Sequence, residues 1–382
     1  VTAILFQGPE LLGRQKVLTD FDAFHVAGTM AAQGRATDTY KAIEMIAAQR
    51  AVSDIPSFMP WTYPPPYTLA VKAFAHLPIG VGYLLFISAS FAFYLLILRK
   101  LAGNHLPGVL IAVLPTVVLM VRTGQNGFLT GALIGWFLLA LSDQRRSAGL
   151  PLGLMVIKPH LAAGIALLAL LAKRWTAMAV AAAVVLASFA AATAEFGVEI
   201  WPAFLGGVRE AGEFLAAGHY QLFRMTSVYA GARSFGATAS FALSVHAMGA
   251  AAALALLIWI WRQGQSPRLI AASACAMSLF VSPYAYDYDL TILGVGIAFV
   301  LPQLVERASS WEMRGLLALC WFTTGYGLAV DVLQDGQSVT TGAYAGSAGY
   351  VSLAAPALII LVASAWIILQ RQPAIPHRPL AF

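Results

Sequence analysis

Apolar residues fill nine stretches of the chain almost without interruption, near 79–98, 106–122, 126–142, 175–194, 241–261, 268–284, 288–305, 311–330 and 351–369. A helix needs about 20 such residues to cross a hydrocarbon core of about 30 Å, so each stretch reads as a membrane-spanning helix. A tenth apolar region, 148–172, is interrupted at Ile157–His160 by "IKPH". It reads either as one long span or as two short arms that enter and return.

Charge decides between these two readings. Basic residues fall in pairs between the apolar stretches: Arg99/Lys100, Arg145/Arg146, Lys173/Arg174, Arg262/Arg268, Arg307/Arg314 and Arg371/Arg378. Short loops rich in Lys and Arg stay in the cytoplasm. All six pairs share one side only if 148–172 turns back. The pattern therefore predicts a re-entrant helix pair with Lys158 at its apex. Irregular backbone at that depth is tolerated only inside protein or beside a wet cavity.

Composition supports the same class. Of 382 residues, 10% are charged and 59% are hydrophobic, and mean hydropathy is +0.76; a soluble domain is about 25% charged. The predicted fold is an all-α polytopic membrane protein with 9–10 transmembrane helices plus the re-entrant pair. It reads as a single integral membrane domain over 1–382, with an external loop at 1–66, membrane helices over 67–194, a large external loop at 195–240 and further membrane helices over 241–382. The net charge of +6 follows from the basic loops and is not a nucleic-acid footprint. Cys275 and Cys320 lie in apolar segments and form neither a disulfide framework nor a zinc site; no metal or cofactor is expected. The first 19 residues lack the apolar core of a signal peptide, and an external 1–66 calls for a span ahead of Val1 or an unusual insertion. Gly127, Gly131 and Gly135 form a small-residue stripe suited to close helix packing.

The external face then carries the long loops 1–66, 195–240 and 331–350. Of the 17 acids only Asp143, Glu306 and Glu312 fall on the cytoplasmic side. Candidate chemistry sits on the outer face. "LTDFDAFHVAG" holds Asp20 and Asp22, with His25 close behind. In an extended segment the two acids point the same way, and on a helix they diverge. One of them suits a general base, and Asp22 also suits the cap of a helix from Ala23 to Gly34. "WTYPPPYTLA" places Tyr63 before a short surface helix over 66–77, stopped by Pro78, and also reads as an interfacial anchor. "RTGQNG" offers Gln125 and Asn126, whose amides bond hydroxyl-rich ligands; a tight turn is the simpler reading. Lys158 and His160 flank Pro159 in an apolar stretch, where an ionisable group is costly and marks a function by default. "SPYAYDYDL" sets Tyr284 and Asp287 among aromatic residues, which suits a sugar or an interfacial belt. The loop 195–240 adds Arg224.

The order of these motifs is more specific than any one of them. "DFDAFHVAG", "GRATDTY", "YPPPY", "GQN", "LPLGLMVIKPH", "KRW" and "SPYAYDYD" follow one another, and in that order the chain resembles the glycosyltransferase family 87 membrane proteins, a branch of the type C glycosyltransferases, from about residue 18 to about 300. The resemblance implies a polyprenyl-phosphate sugar donor, often mannose, and a lipid or glycan acceptor. It implies inverting transfer on the periplasmic face of a bacterial inner membrane, in building the cell envelope. The family's base, an aspartate of the first external loop, matches Asp20, with Asp22 as the alternate. His25 stands where family members often carry an aromatic residue. In this scheme Asp20 deprotonates the acceptor hydroxyl, and Lys158 or Arg224 stabilises the departing phosphate. Helical arms of 9–13 residues span only about 14–20 Å, so Lys158 serves only a deep cavity; Arg224 and Arg122 are the fallbacks. Two other classes compete. A transporter or flippase of lipid-linked sugars calls for inverted repeats, and none is visible. A non-catalytic subunit of an envelope assembly is the other.

Overall fold

In hydrocarbon a backbone must satisfy its own hydrogen bonds, which favours helices. The computed structural model describes residues 18–54, 57–338 and 350–371, and no strand occurs among them. The expected span ahead of Val1, the tip of the loop 331–350 and Arg378 lie outside the described residues. The all-α polytopic membrane architecture predicted above is the one observed. Among the described residues five helical segments are long and apolar enough to cross a membrane, and six shorter apolar helices accompany them. The chain divides into two compact units, residues 1–97 with 117–221, and 98–116 with 222–382.

The first unit opens with α1 (Asp20–Ala32), α2 (Ala42–Ser53) and α3 (Pro65–Lys72). Pro64 holds the extended backbone that leads into α3 (φ −56°, ψ 150°), and Pro65 takes the first helical turn, where a missing N–H costs nothing. With the 3₁₀ turn Ala73–His76, α3 is the short helix expected over 66–77. It packs so closely on α1 that a Cβ on Gly28 would lie 2.2 Å from the Val71 carbonyl oxygen. The chain continues through α4 (Ile79–Ala102), α5 (Leu106–Ala112), α6 (Leu114–Thr123) and α7 (Gly127–Ser142).

The expected span 106–122 is therefore two helices, not one. Pro115 is the cause, because its ring clashes with the carbonyl four residues back and it brings no N–H. The carbonyls freed at the break find other donors: the Trp321 indole reaches the Ile111 oxygen at 2.7 Å, and the Cys320 thiol reaches Ala112 at 3.2 Å.

After α7 comes the hairpin. Its first arm is α8 (Gly149–Leu154) extended by the 3₁₀ turn Met155–Ile157; its second is the 3₁₀ turn Pro159–Ala162 followed by α9 (Ala163–Leu171). Lys158 between them is non-helical (φ −145°, ψ 69°), as the residue before a proline prefers. The Arg174 guanidinium, just past the second arm, bonds the Leu141 carbonyl at the end of α7 at 3.2 Å. Both arms thus begin and end together, as a re-entrant pair requires. The first arm lies on α10 (Trp175–Phe196), where Gly149 permits the approach: a Cβ there would be 2.1 Å from the Ala177 oxygen. The 3₁₀ turn leading to the apex packs against α3, the helix read as lying on the outer surface. The unit closes with α11 (Ile200–Ala217), which covers the 3₁₀ turn Ala36–Tyr40 and accepts the Ala42 N–H on Glu210 at 3.0 Å. Much of the expected loop 195–240 is therefore helix.

The second unit holds α5, α12 (Val228–Ser234), α13 (Ala239–Arg262), α14 (Pro267–Leu279), α15 (Thr291–Arg307), α16 (Ser310–Ser338) and α17 (Ala354–Leu369). Within it, α15 packs on α14, α5 and α17. The expected span 268–284 ends at Leu279, ahead of Pro283.

The hairpin sets a topological test. In a background lacking Cys275 and Cys320, single cysteines at Ser147 and Trp175 should both react with an impermeant maleimide from the same side of sealed vesicles. Labelling from opposite sides would make 148–172 a full span.

Candidate active site

Thr19 caps α1 with extended backbone (φ −98°, ψ 172°). The helix begins at Asp20, three residues earlier than the sequence suggested, because Thr19 and Asp22 form a capping box. The two acids therefore stand in one helical turn and diverge. The Asp22 carboxylate accepts the Thr19 N–H at 2.7 Å and the Thr19 hydroxyl at 2.9 Å, and only 1% of the residue is exposed. Asp20 is half-buried and accepts from the Gln125 side-chain amide at 3.0 Å. Phe21 and Phe24 anchor the helix between them, in edge contact with Tyr83, Phe74, Trp61, Tyr63 and Tyr67.

Gln125 has one possible orientation. Its amide oxygen accepts the Tyr63 hydroxyl at 2.8 Å and the Asn126 N–H at 2.8 Å, which leaves the NH₂ group to face Asp20. Gly124 makes this placement possible: its φ is +66°, and a Cβ there would lie 2.6 Å from the Phe21 Cβ. The expected tight turn and the expected ligand amides are thus the same feature.

Tyr63 also carries the link to the hairpin. The Lys158 ammonium lies 5.8 Å from the centre of its ring, with the residue 5% exposed, so the apex does reach the group around Asp20. Tyr63 is held in turn by Tyr40, whose hydroxyl bonds the Tyr63 carbonyl at 2.9 Å and the Thr68 hydroxyl at 2.8 Å. The Trp61 indole donates to Thr68 at 2.9 Å. Burial pushes the Tyr40 and Tyr67 hydroxyls well above their ordinary range, so both remain protonated donors. The Tyr67 hydroxyl and both amide atoms of Asn126 are buried without a partner of good hydrogen-bond geometry. Buried polar groups are rarely left so, and here they adjoin Gln125 and the Tyr63 ring. His25 is an anchor, its Nε2 at 3.1 Å from the Leu77 carbonyl. His160 is half-buried just past the apex.

Arg224, Tyr284 and Asp287 form a second cluster, in the second unit. Arg224 makes a two-pronged ion pair with Asp287, 3.1 Å at both contacts, and stacks 5.8 Å from the Tyr286 ring. Gly327 leaves the room: a Cβ there would lie 2.5 Å from Asp287. Tyr284 lies against Tyr286, ring centres 5.2 Å apart. Arg224 is thus engaged by a carboxylate. Among the described residues no three His, Cys, Asp or Glu side chains come together to hold a metal.

The model of glycosyltransferase family 87 matches residues 61–283, more than half of the chain. The protein belongs to glycosyltransferase family 87. It is a glycosyltransferase with membrane-crossing helices. No curated protein and no solved structure matches it. The family 87 match takes in Tyr63, Gln125, Asn126, Lys158, His160 and Arg224. Asp20 precedes it and is tied to it by the Gln125 bond. Tyr40, Trp61, Tyr67 and Thr68 belong to the group as well and were not singled out from the sequence. Their signal was the aromatic content of "GRATDTY" and "YPPPY".

The two acids should separate by stability. Asp22→Ala removes a cap and should cost about 0.5–2 kcal/mol, read as a lower thermal midpoint in detergent. Asp20→Asn should stay within about 0.5 kcal/mol of the parent. Equal losses would refute the division of roles.

Proposed function

We propose that this family 87 enzyme transfers a hexose, mannose by resemblance, from a polyprenyl-phosphate donor to an acceptor hydroxyl on the periplasmic side of a bacterial inner membrane, with Asp20 as general base. The observation that carries the reading is the unequal use of the two acids. The Asp22 carboxylate is buried and accepts from the start of α1, whereas Asp20 is half-exposed and accepts from the Gln125 amide. A base must reach the proton it takes and be held in line with it, and only Asp20 has both properties.

In the proposed step Asp20 takes the acceptor hydroxyl proton as the oxygen bonds the anomeric carbon. The bond from that carbon to the donor phosphate breaks from the opposite face, inverting the centre. Polyprenyl phosphate leaves with the electron pair. Lys158, over the ring of the Tyr63 whose hydroxyl bonds Gln125, is the cation suited to that charge. Arg224 is less suited, since Asp287 already neutralises it. A donor of this kind stays in the bilayer, which agrees with a group built beside membrane-crossing helices.

The test is transfer from radiolabelled polyprenyl-phosphate mannose by membranes with matched amounts of folded protein. Asp20→Asn should lower transfer at least about 100-fold. Asp22→Asn should retain transfer in proportion to its folded fraction, and Lys158→Gln should lower the maximal rate. Full transfer by Asp20→Asn would end the proposal.

A further inference from the structure

The second unit carries a half-open cavity of about 910 Å³, near the upper end of the roughly 300–1,000 Å³ typical of ligand sites. It is long and narrow. Its wall runs from Gly249 to Ile260 along α13 and from Leu293 to Val305 along α15, which at helical rise is about 16–18 Å. Small side chains make the space, among them Gly249, Ala252, Ala276 and Gly296. Nearly all of the wall is apolar. The polar groups are concentrated at one end, where Asn104, His105 and Arg314 line the opening.

That end is also where charge collects. Ile260 and Leu269 of the wall lead directly into Arg262 and Arg268. Glu312 is already paired with Arg371 at 2.7 Å. Arg314 lies over the Trp311 ring at 4.9 Å and is exposed. The far end, at Val228 and Phe280, carries no charged wall residue. The positive-inside rule assigns the basic end to the cytoplasmic leaflet.

We propose that this cavity binds an anionic phospholipid of that leaflet, with acyl chain between the helices and phosphate at Arg314 and His105. Apolar space is not filled by water, and basic pockets between transmembrane helices on the cytoplasmic side attract anionic headgroups. The inference is independent of the chemistry proposed for Asp20.

Native mass spectrometry of the delipidated full chain tests it, with dioleoyl phosphatidylglycerol, dioleoyl phosphatidylcholine and undecaprenyl phosphate as probes. Phosphatidylglycerol should be retained as a 1:1 adduct at about tenfold lower concentration than phosphatidylcholine. His105→Gln with Arg314→Gln should abolish that preference, and Ala252→Trp should abolish retention with an unchanged thermal midpoint. Equal retention of the two phospholipids, or an adduct that survives Ala252→Trp, would overturn the proposal. So would stoichiometric displacement by undecaprenyl phosphate, which would make the cavity a donor-tail site. A dimer that excludes all three lipids would assign it to a second copy.

Discussion

The hydrogen bond from the Gln125 amide to Asp20 is the interaction on which the first unit's polar group turns. It joins two segments 105 residues apart. Through the other end of the same amide it fixes Tyr63, and through the Tyr63 ring it meets the hairpin apex. An amide is well suited to this place. It gives to a carboxylate on one side and receives from a phenol and a backbone N–H on the other, and no flipped orientation satisfies all three. The aromatic packing of Phe21 and Phe24 and the left-handed turn at Gly124 serve to bring that one group into register.

A second constraint shapes the rest: a helix broken at membrane depth must find partners for what it exposes. The chain meets it in two ways. At Pro115 the loosened carbonyls of Ile111 and Ala112 are taken up by side chains of α16. At Lys158 the break is carried to the end of a hairpin, so the irregular residue lies beside polar groups and not in lipid. The first is a repair. The second turns a liability into a way of delivering a cation to a place its own helices are too short to cross to.

The sequence was legible where the physics is local or one-dimensional. Apolar run length places most of the helices, although 106–122 is broken at Pro115 and 268–284 stops at Leu279, and the pattern of basic pairs anticipates the hairpin. It was less legible where two local signals compete. Asp20 and Asp22 fit both an extended pair and a helical turn, and the deciding residue was Thr19, three positions before Asp22. The sequence also conceals pairings between distant segments. Arg224 reads as a free cation until Asp287, 63 residues on, takes both of its prongs. Tyr40 reads as part of a loop until it is seen to hold the backbone of Tyr63.

The hairpin has a consequence for how the protein is made. Neither arm is long enough to be inserted as an ordinary span, and the surface that α8 rests on belongs to α10, which leaves the ribosome afterwards. Gly149 and Gly153 are bare so that α10 can close over them. The segment carrying Lys158 therefore waits, incompletely housed, until about 40 further residues have been synthesised. Side-chain bulk at either glycine would keep α10 from closing over the first arm even once it has been made.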